Sequence, residues 1–192
     1  APDFDVSAVL GSGEIVDSYK RSAAMQGKYG LVFFYPLDFT FVCPSELIAL
    51  DHRMDKFRAL GVEVVAVSID SQFTHNAWRN TAVKDGGIGP VTYTMAADIN
   101  HDICRAYDVE TAGGVAFRGA FIIDRAGTVR AQLVNDLPLG RNIDELIRLV
   151  EALQFTDEHG EVCPAGWNKG DKGMNASPQG VAAYLSENAS AL

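Results

Sequence analysis

Apolar positions follow two rhythms along this chain. Leu31-Val32-Phe33-Phe34-Tyr35 is an unbroken apolar run closed by Pro36, which predicts a strand buried on both faces. Val62 to Ile69, rich in β-branched residues, predicts a second. Between them Leu47, Leu50, Met54 and Phe57 recur at helical spacing from Ser45 to Leu60, and Gly61 supplies the stop. Another helix is predicted around Phe73–Lys84, ending in the loop Asp85-Gly86-Gly87-Ile88-Gly89-Pro90. A short apolar piece near Tyr93–Ala97 and a short helix at about His101–Tyr107 follow. Gly119–Ile123 and Thr128–Val134 read as strands joined by the hairpin-like turn Asp124-Arg125-Ala126-Gly127. Ile143, Leu146, Ile147, Val150 and Leu153 form one stripe and predict the last long helix.

Strands alternating with helices, then a hairpin, place the chain in the α/β class. The expected architecture is thioredoxin-like: a central mixed β-sheet flanked by helices, followed by a C-terminal extension. Residues 1–155 carry the core periodicity. Over 156–192 it is lost, and this stretch is read as an arm and not as an independent domain. Within the arm, Ser177-Pro178 opens a short helix, with Ser as N-cap and Pro in the first turn. Val181, Tyr184 and Leu185 share one face of it.

Composition narrows the partners. A formal charge of −9 over 192 residues repels nucleic acid and anionic lipid, so neither is expected as a partner. No apolar segment approaches the ~20 residues that span a bilayer. The start Ala1-Pro2-Asp3-Phe4-Asp5 lacks the basic-then-apolar pattern of a secretory signal. Three cysteines are too few and too scattered for a secreted disulfide scaffold, and an odd count suits a reducing compartment, so a cytoplasmic location is expected. The four histidines are dispersed without the spacing of a zinc or iron site. Neither a metal nor a cofactor is expected. The absence of Cys-x-x-Cys argues against a thioredoxin-type disulfide carrier.

The chemistry concentrates in Tyr35-Pro36-Leu37-Asp38-Phe39-Thr40-Phe41-Val42-Cys43-Pro44-Ser45-Glu46. This segment runs from a buried strand into a helix start and puts Cys43 in or just before the first turn. Free amides and the positive end of a helix dipole favour a thiolate there, and such positions lower a thiol pKa from ~8.5 towards neutrality. Cys43 is then either a nucleophile or a small buried hydrophobe, and local physics leaves its electrophile unnamed.

Pro36, Thr40 and Cys43, spaced Pro-x-x-x-Thr-x-x-Cys, resemble the active-site signature of peroxiredoxins. The surrounding residues are close to typical two-cysteine members, the alkyl hydroperoxide reductase C-like group. The similarity runs on through Glu161-Val162-Cys163-Pro164 and the terminal arm. It implies a peroxidatic Cys43, a Thr40 that holds the peroxide by hydrogen bonding, and a Pro36 that shields the sulfur from water. Arg118 matches the arginine that stabilises thiolate and transition state, although without that match it reads as an ordinary charge at a strand end. Glu46 and Arg141 resemble the ion pair that orients that arginine, or are plain surface charges.

A sulfenic acid needs a second thiol to condense with or it is liable to overoxidation. Cys163 lies in an arm whose apolar residues can be buried on a neighbouring molecule, so its disulfide with Cys43 is expected between subunits of a symmetric pair. Cys104 receives no role. The resemblance implies reduction of hydrogen peroxide and organic hydroperoxides for antioxidant defence. It also implies re-reduction by thioredoxin or a flavoprotein disulfide reductase, and homodimers forming a ring decamer. Gly86-Gly87-Ile88-Gly89 and Tyr184-Leu185 resemble the Gly-Gly-Leu-Gly and Tyr-Phe elements of peroxide-sensitive members, departing from them at Ile88 and Leu185. Together they imply a terminal helix that covers the active site and unfolds before the disulfide forms. The alternative is an oligomeric chaperone or peroxide-signalling scaffold.

Overall fold

In the computed structural model, which describes residues 1–191, seven strands form one mixed sheet in the order β2-β1-β5-β4-β3-β6-β7. The strands are β1 (Asp5–Val9), β2 (Ile15–Lys20), β3 (Tyr29–Phe34), β4 (Val62–Ser68), β5 (Thr94–Ala97), β6 (Arg118–Ile123) and β7 (Val129–Asn135). Short helix α1 (Arg21–Ala24) follows β2. The β3–β4 connection carries α2 (Cys43–Asp51) and α3 (Met54–Ala59), and the β4–β5 connection carries α4 (Gln72–Asn80). Helix α5 (Asp102–Ala106) precedes β6. Contacts divide the chain into two units, Ala1–Ile143 and the part from Asp144 onward.

Strand β3 explains the unbroken apolar run. It lies between β4, which is parallel to it, and β6, which is antiparallel, and all six of its residues are buried. Strand β7 pairs with β6 alone, and its burial alternates residue by residue as an edge strand's should. The β6–β7 turn closes through Asp124 Oδ1, which accepts from the Ala126 and Thr128 amides at 3.0 and 2.9 Å. Gly127 takes the left-handed φ of +83° that the turn requires. Phe34, Tyr107 and Phe121 pack ring against ring with centroids 4.9–5.8 Å apart, in a cluster that also buries Val32, Val65, Val67 and Cys104.

Two features depart from the predicted pattern. The β1–β2 hairpin gave no usable signal, because only Tyr19 of β2 is buried. The helix predicted over Ser45–Leu60 is two helices. The Arg53 amide bonds the Leu50 carbonyl at 3.0 Å, tightening the chain, and the Arg53 guanidinium takes the Ala49 carbonyl at 3.2 Å. No Gly or Pro marks that break.

The second unit holds nearly all of α6 (Ile143–His159), a bridge between Val162 and Met174, and α7 (Pro178–Asn188), followed by a 3-10 turn. Ser177 caps α7 by accepting from the Gly180 amide at 3.0 Å. Among the described residues no helix is long and apolar enough to cross a membrane.

Candidate active site

Parallel strands β3 and β4 end at the same edge of the sheet, where ligand sites form in α/β proteins. From the end of β3 the chain turns through Tyr35–Val42 into α2, which begins at Cys43. The antiparallel register of β6, with Phe33 opposite Ala120, brings Arg118 at the start of β6 to this same edge. Two residues far apart in sequence therefore meet because of strand direction alone.

Cys43 is 1% exposed. Its Sγ lies 3.0 Å from Thr40 Oγ1 and accepts from Arg118 Nη1 at 3.5 Å. Thr40 Oγ1 is also 2.7 Å from the Leu37 carbonyl. A hydroxyl has one proton. While it is donated to Leu37, the oxygen can accept from a thiol S–H; once the sulfur is an anion, rotation can redirect the proton to sulfur. Helix amides contribute less than the sequence suggested. Pro44 has no N–H, and the Ser45 and Glu46 amides both bond the Val42 carbonyl at 3.1 and 3.3 Å. Support for the sulfur comes from side chains.

Those side chains form one buried ionic cluster. Glu46 Oε2 accepts from Arg118 Nη1 at 2.6 Å and from Arg141 Nη2 at 3.1 Å. Glu46 Oε1 accepts from the Arg141 amide and Nε, both at 2.8 Å. Arg118 Nε is fixed on the Leu137 carbonyl at 2.6 Å, Arg141 Nη1 on the Gly119 carbonyl at 2.7 Å, and the Arg141 guanidinium lies 3.4 Å over the Phe33 ring. Burial opposes ionisation of Glu46, but the hydrogen bonds and charge of Arg141, with the charge of Arg118, hold its carboxyl below the usual range. Burial pulls the Arg141 guanidinium below its ordinary value, although Glu46 works against that. Two guanidiniums thus share one carboxylate in a dry site. The missing negative charge is one that a Cys43 thiolate can supply.

The model of the AhpC/TSA family matches residues 1–132, and that of the C-terminal domain of 1-Cys peroxiredoxin matches residues 152–187. Alkyl hydroperoxide reductase C of Helicobacter pylori (strain ATCC 700392 / 26695) is 54% identical over 188 residues, covering 98% of this chain and 95% of that one. The chain belongs to the AhpC/TSA family of peroxiredoxins. Peroxiredoxin-2 of Macaca fascicularis is 50% identical, covering 97% of this chain and 93% of its own. The solved reduced 2-Cys peroxiredoxin of Plasmodium vivax superposes with a TM-score of 0.94 at 44% identity, covering 97% and 96% of the two chains. The thioredoxin-like fold and thiol peroxidase activity expected of this peroxiredoxin stand on these matches.

Beneath the peroxiredoxin loop lies a buried network that sequence reasoning missed. Tyr35 donates its hydroxyl to Asp38 Oδ1 at 2.7 Å, and His75 Nδ1 lies 2.8 Å from Asp38 Oδ2. The Asp38 amide donates to Asp70 Oδ2 at 2.9 Å, which Ser68 also reaches at 2.7 Å. Burial raises the Asp38 carboxyl, with His75 opposing it. His75 is one of the four histidines whose spacing along the chain shows no pattern. Its place three residues before Trp78 on the buried face of α4 was the available signal. The network grips the loop between Pro36 and Thr40, and Phe39 within it holds a left-handed φ of +52°. Asp38→Asn is expected to cost about 1–3 kcal/mol by unbalancing these bonds, measured by urea denaturation of the reduced protein. A loss below about half a kcal/mol would show the network to be slack.

The remaining predicted residues fall in both units. Pro36 is buried beside the loop. Gly86-Gly87-Ile88-Gly89 follows a 3-10 turn at Val83–Asp85 and is tied to α4 by Trp78 Nε1, which donates to the Gly86 carbonyl at 2.9 Å. A side chain at Gly87 would collide with the Thr81 carbonyl. In the second unit Cys163 is half-buried, its Sγ donating to the Ala152 carbonyl at 3.5 Å. Tyr184 lines a cavity of about 500 Å³ with Ala165, Trp167, Lys172 and Asn188. Leu185 on the same helix is 42% exposed.

Proposed function

We propose that this peroxidase works through a Cys43 sulfenic acid and an intersubunit disulfide with Cys163. The Cys43 thiolate attacks one oxygen of hydrogen peroxide or a small organic hydroperoxide. The S–O bond forms as the O–O bond breaks, and the other oxygen leaves with a proton as water or an alcohol. Arg118 faces the charge that develops on oxygen, Thr40 orients the peroxide, and Pro36 keeps water from the sulfur. The Cys163 thiolate of a partner subunit then attacks the sulfenic sulfur and displaces hydroxide, which leaves as water. Thioredoxin or a flavoprotein disulfide reductase supplies the two electrons that restore both thiols. A homodimer, assembled further into a ring decamer, brings the two cysteines together. A cytoplasmic, reducing setting keeps all three thiols free.

The observation that supports this reading best is the Cys43 sulfur held by Thr40 and Arg118 in a cluster one negative charge short. One equivalent of peroxide followed by non-reducing electrophoresis tests it. A covalent dimer is expected, absent in Cys43→Ser and in Cys163→Ser but retained in Cys104→Ser. Monomer throughout would sink the intersubunit step.

The regulatory reading belongs to the same proposal. If α7 must unfold before Cys163 engages, its firmness sets how long the sulfenic acid faces a second peroxide. No residue of α7 is buried. Leu185→Phe should therefore anchor it better and raise the sulfinic fraction of Cys43 several-fold at high peroxide, read by intact-mass spectrometry. An unchanged fraction would remove Leu185 from that role.

A further inference from the structure

A third group of chemistry-bearing side chains lies away from Cys43. His101 precedes α5, Cys104 lies within it, and Glu110 follows where the chain bridges to Ala116. The fold brings one ligand atom from each to within 4.8 Å of the others. His101 Nδ1 and Glu110 Oε1 are 2.6 Å apart. Cys104 is fully buried, whereas His101 and Glu110 are about a quarter exposed and open the group to solvent. We propose that His101, Cys104 and Glu110 form a three-donor site for a borderline-soft divalent metal ion of the zinc class, with water as the fourth ligand.

Donor chemistry sets the metal class. A thiolate and an imidazole select zinc-like ions over magnesium or calcium, which prefer oxygen. Tetrahedral zinc, with bonds near 2.3 Å to sulfur and 2.0–2.1 Å to nitrogen and oxygen, needs donor separations of roughly 3.3–3.5 Å. The His101–Glu110 contact must open by under an ångström, and from a bound of 4.8 Å the sulfur must close by up to about 1.3 Å. Glu110 is already held as such a ligand should be. Arg105 Nε binds its Oε2 at 2.8 Å and Arg105 Nη2 reaches Oε1 at 3.3 Å, the outer bonds that orient a ligating carboxylate, and a metal would take from Nη2 the Oε1 that also faces His101 Nδ1 at 2.6 Å. Asp98 accepts from the Ile103 and Cys104 amides at 2.9 and 2.8 Å, which fixes Cys104 and adds negative charge beside its sulfur. Burial, with Asp98, pushes the Cys104 thiol up to about 12, so the thiol is idle as a nucleophile at neutral pH and releases its proton to water when metal binds. The bound ion would join α5 to the segment that leads through Phe117 into β6, the strand carrying Arg118.

Co²⁺ titration of the reduced full chain carrying Cys43→Ser and Cys163→Ser leaves Cys104 as the only thiol. One equivalent of Co²⁺ should produce thiolate-to-metal charge-transfer absorption and tetrahedral visible bands, bleached by Zn²⁺. Adding Cys104→Ser should abolish the charge-transfer band, and Glu110→Gln should weaken Co²⁺ binding tenfold or more. A second readout keeps all three cysteines: Zn²⁺ should raise the thermal midpoint relative to chelator, and Glu110→Gln should lose the rise. Absence of the charge-transfer band, or binding unaffected by Glu110→Gln, overturns the site.

Discussion

Arg118→Met is expected to slow oxidation of Cys43 by hydrogen peroxide by about 10²–10³-fold, the cost of losing one well-placed donor to a developing oxyanion. The guanidinium is the cation nearest the sulfur, and it is not free to drift: Leu137 holds Nε and Glu46 holds Nη1, both at 2.6 Å. Methionine keeps the buried volume while removing charge and donors. Glu46 keeps Arg141, which alone makes three hydrogen bonds to it, so the fold should survive. Stopped-flow measurement of the second-order rate separates the two effects, because the unfolding midpoint should move far less than the rate. Arg118→Lys should recover only part of the loss, since one ammonium cannot reproduce the fixed fork that meets Leu137 and Glu46 together. A rate within tenfold of wild type in the Met variant would show that Arg118 is structural and that the sulfur draws its support elsewhere.

What could be read in the chain followed from periodicity, and what could not followed from strand direction. The apolar run before Pro36 marks β3, and the helix start puts Cys43 in or just before the first turn of α2, which begins at that residue. Nothing in the spacing of residues 43, 46, 118 and 141 shows that they touch. Their meeting needs β6 to run against β3, and without the peroxiredoxin resemblance Arg118 and Arg141 were ordinary charges. Strand β2 escaped because an exposed edge strand needs little apolar alternation. The pairing of Asp38 with His75 is illegible for a related reason: their hydrogen bond joins the β3 loop to α4 across a parallel crossover. The grouping of His101, Cys104 and Glu110 hides in irregular spacing, where a turn closes Glu110 back onto α5.

Glu46→Gln should damage the fold most, by about 3–5 kcal/mol, the usual result of stripping one partner from a buried ion pair. The amide removes the only carboxylate between Arg118 and Arg141, and its NH₂ group turns donors toward guanidinium N–H donors that need acceptors. Two buried cations then repel without relief, so both stability and peroxide reactivity should fall together, unlike the Arg118→Met result. Acid protonation imitates the same change and fixes its sign. The Glu46 carboxyl is held below its ordinary value of 4.5 in the folded protein, so its stabilisation is complete above that value and is lost as pH falls through the lower folded-state value. Wild type should therefore show a steep acid limb beginning below pH 4.5, to which Glu46 contributes, whereas Glu46→Gln should be weaker at neutral pH and flatter in acid. Urea midpoints taken from neutral pH down to pH 3 measure both. Parallel curves for the two proteins would mean that Glu46 is not the anion on which this cluster of charges is balanced.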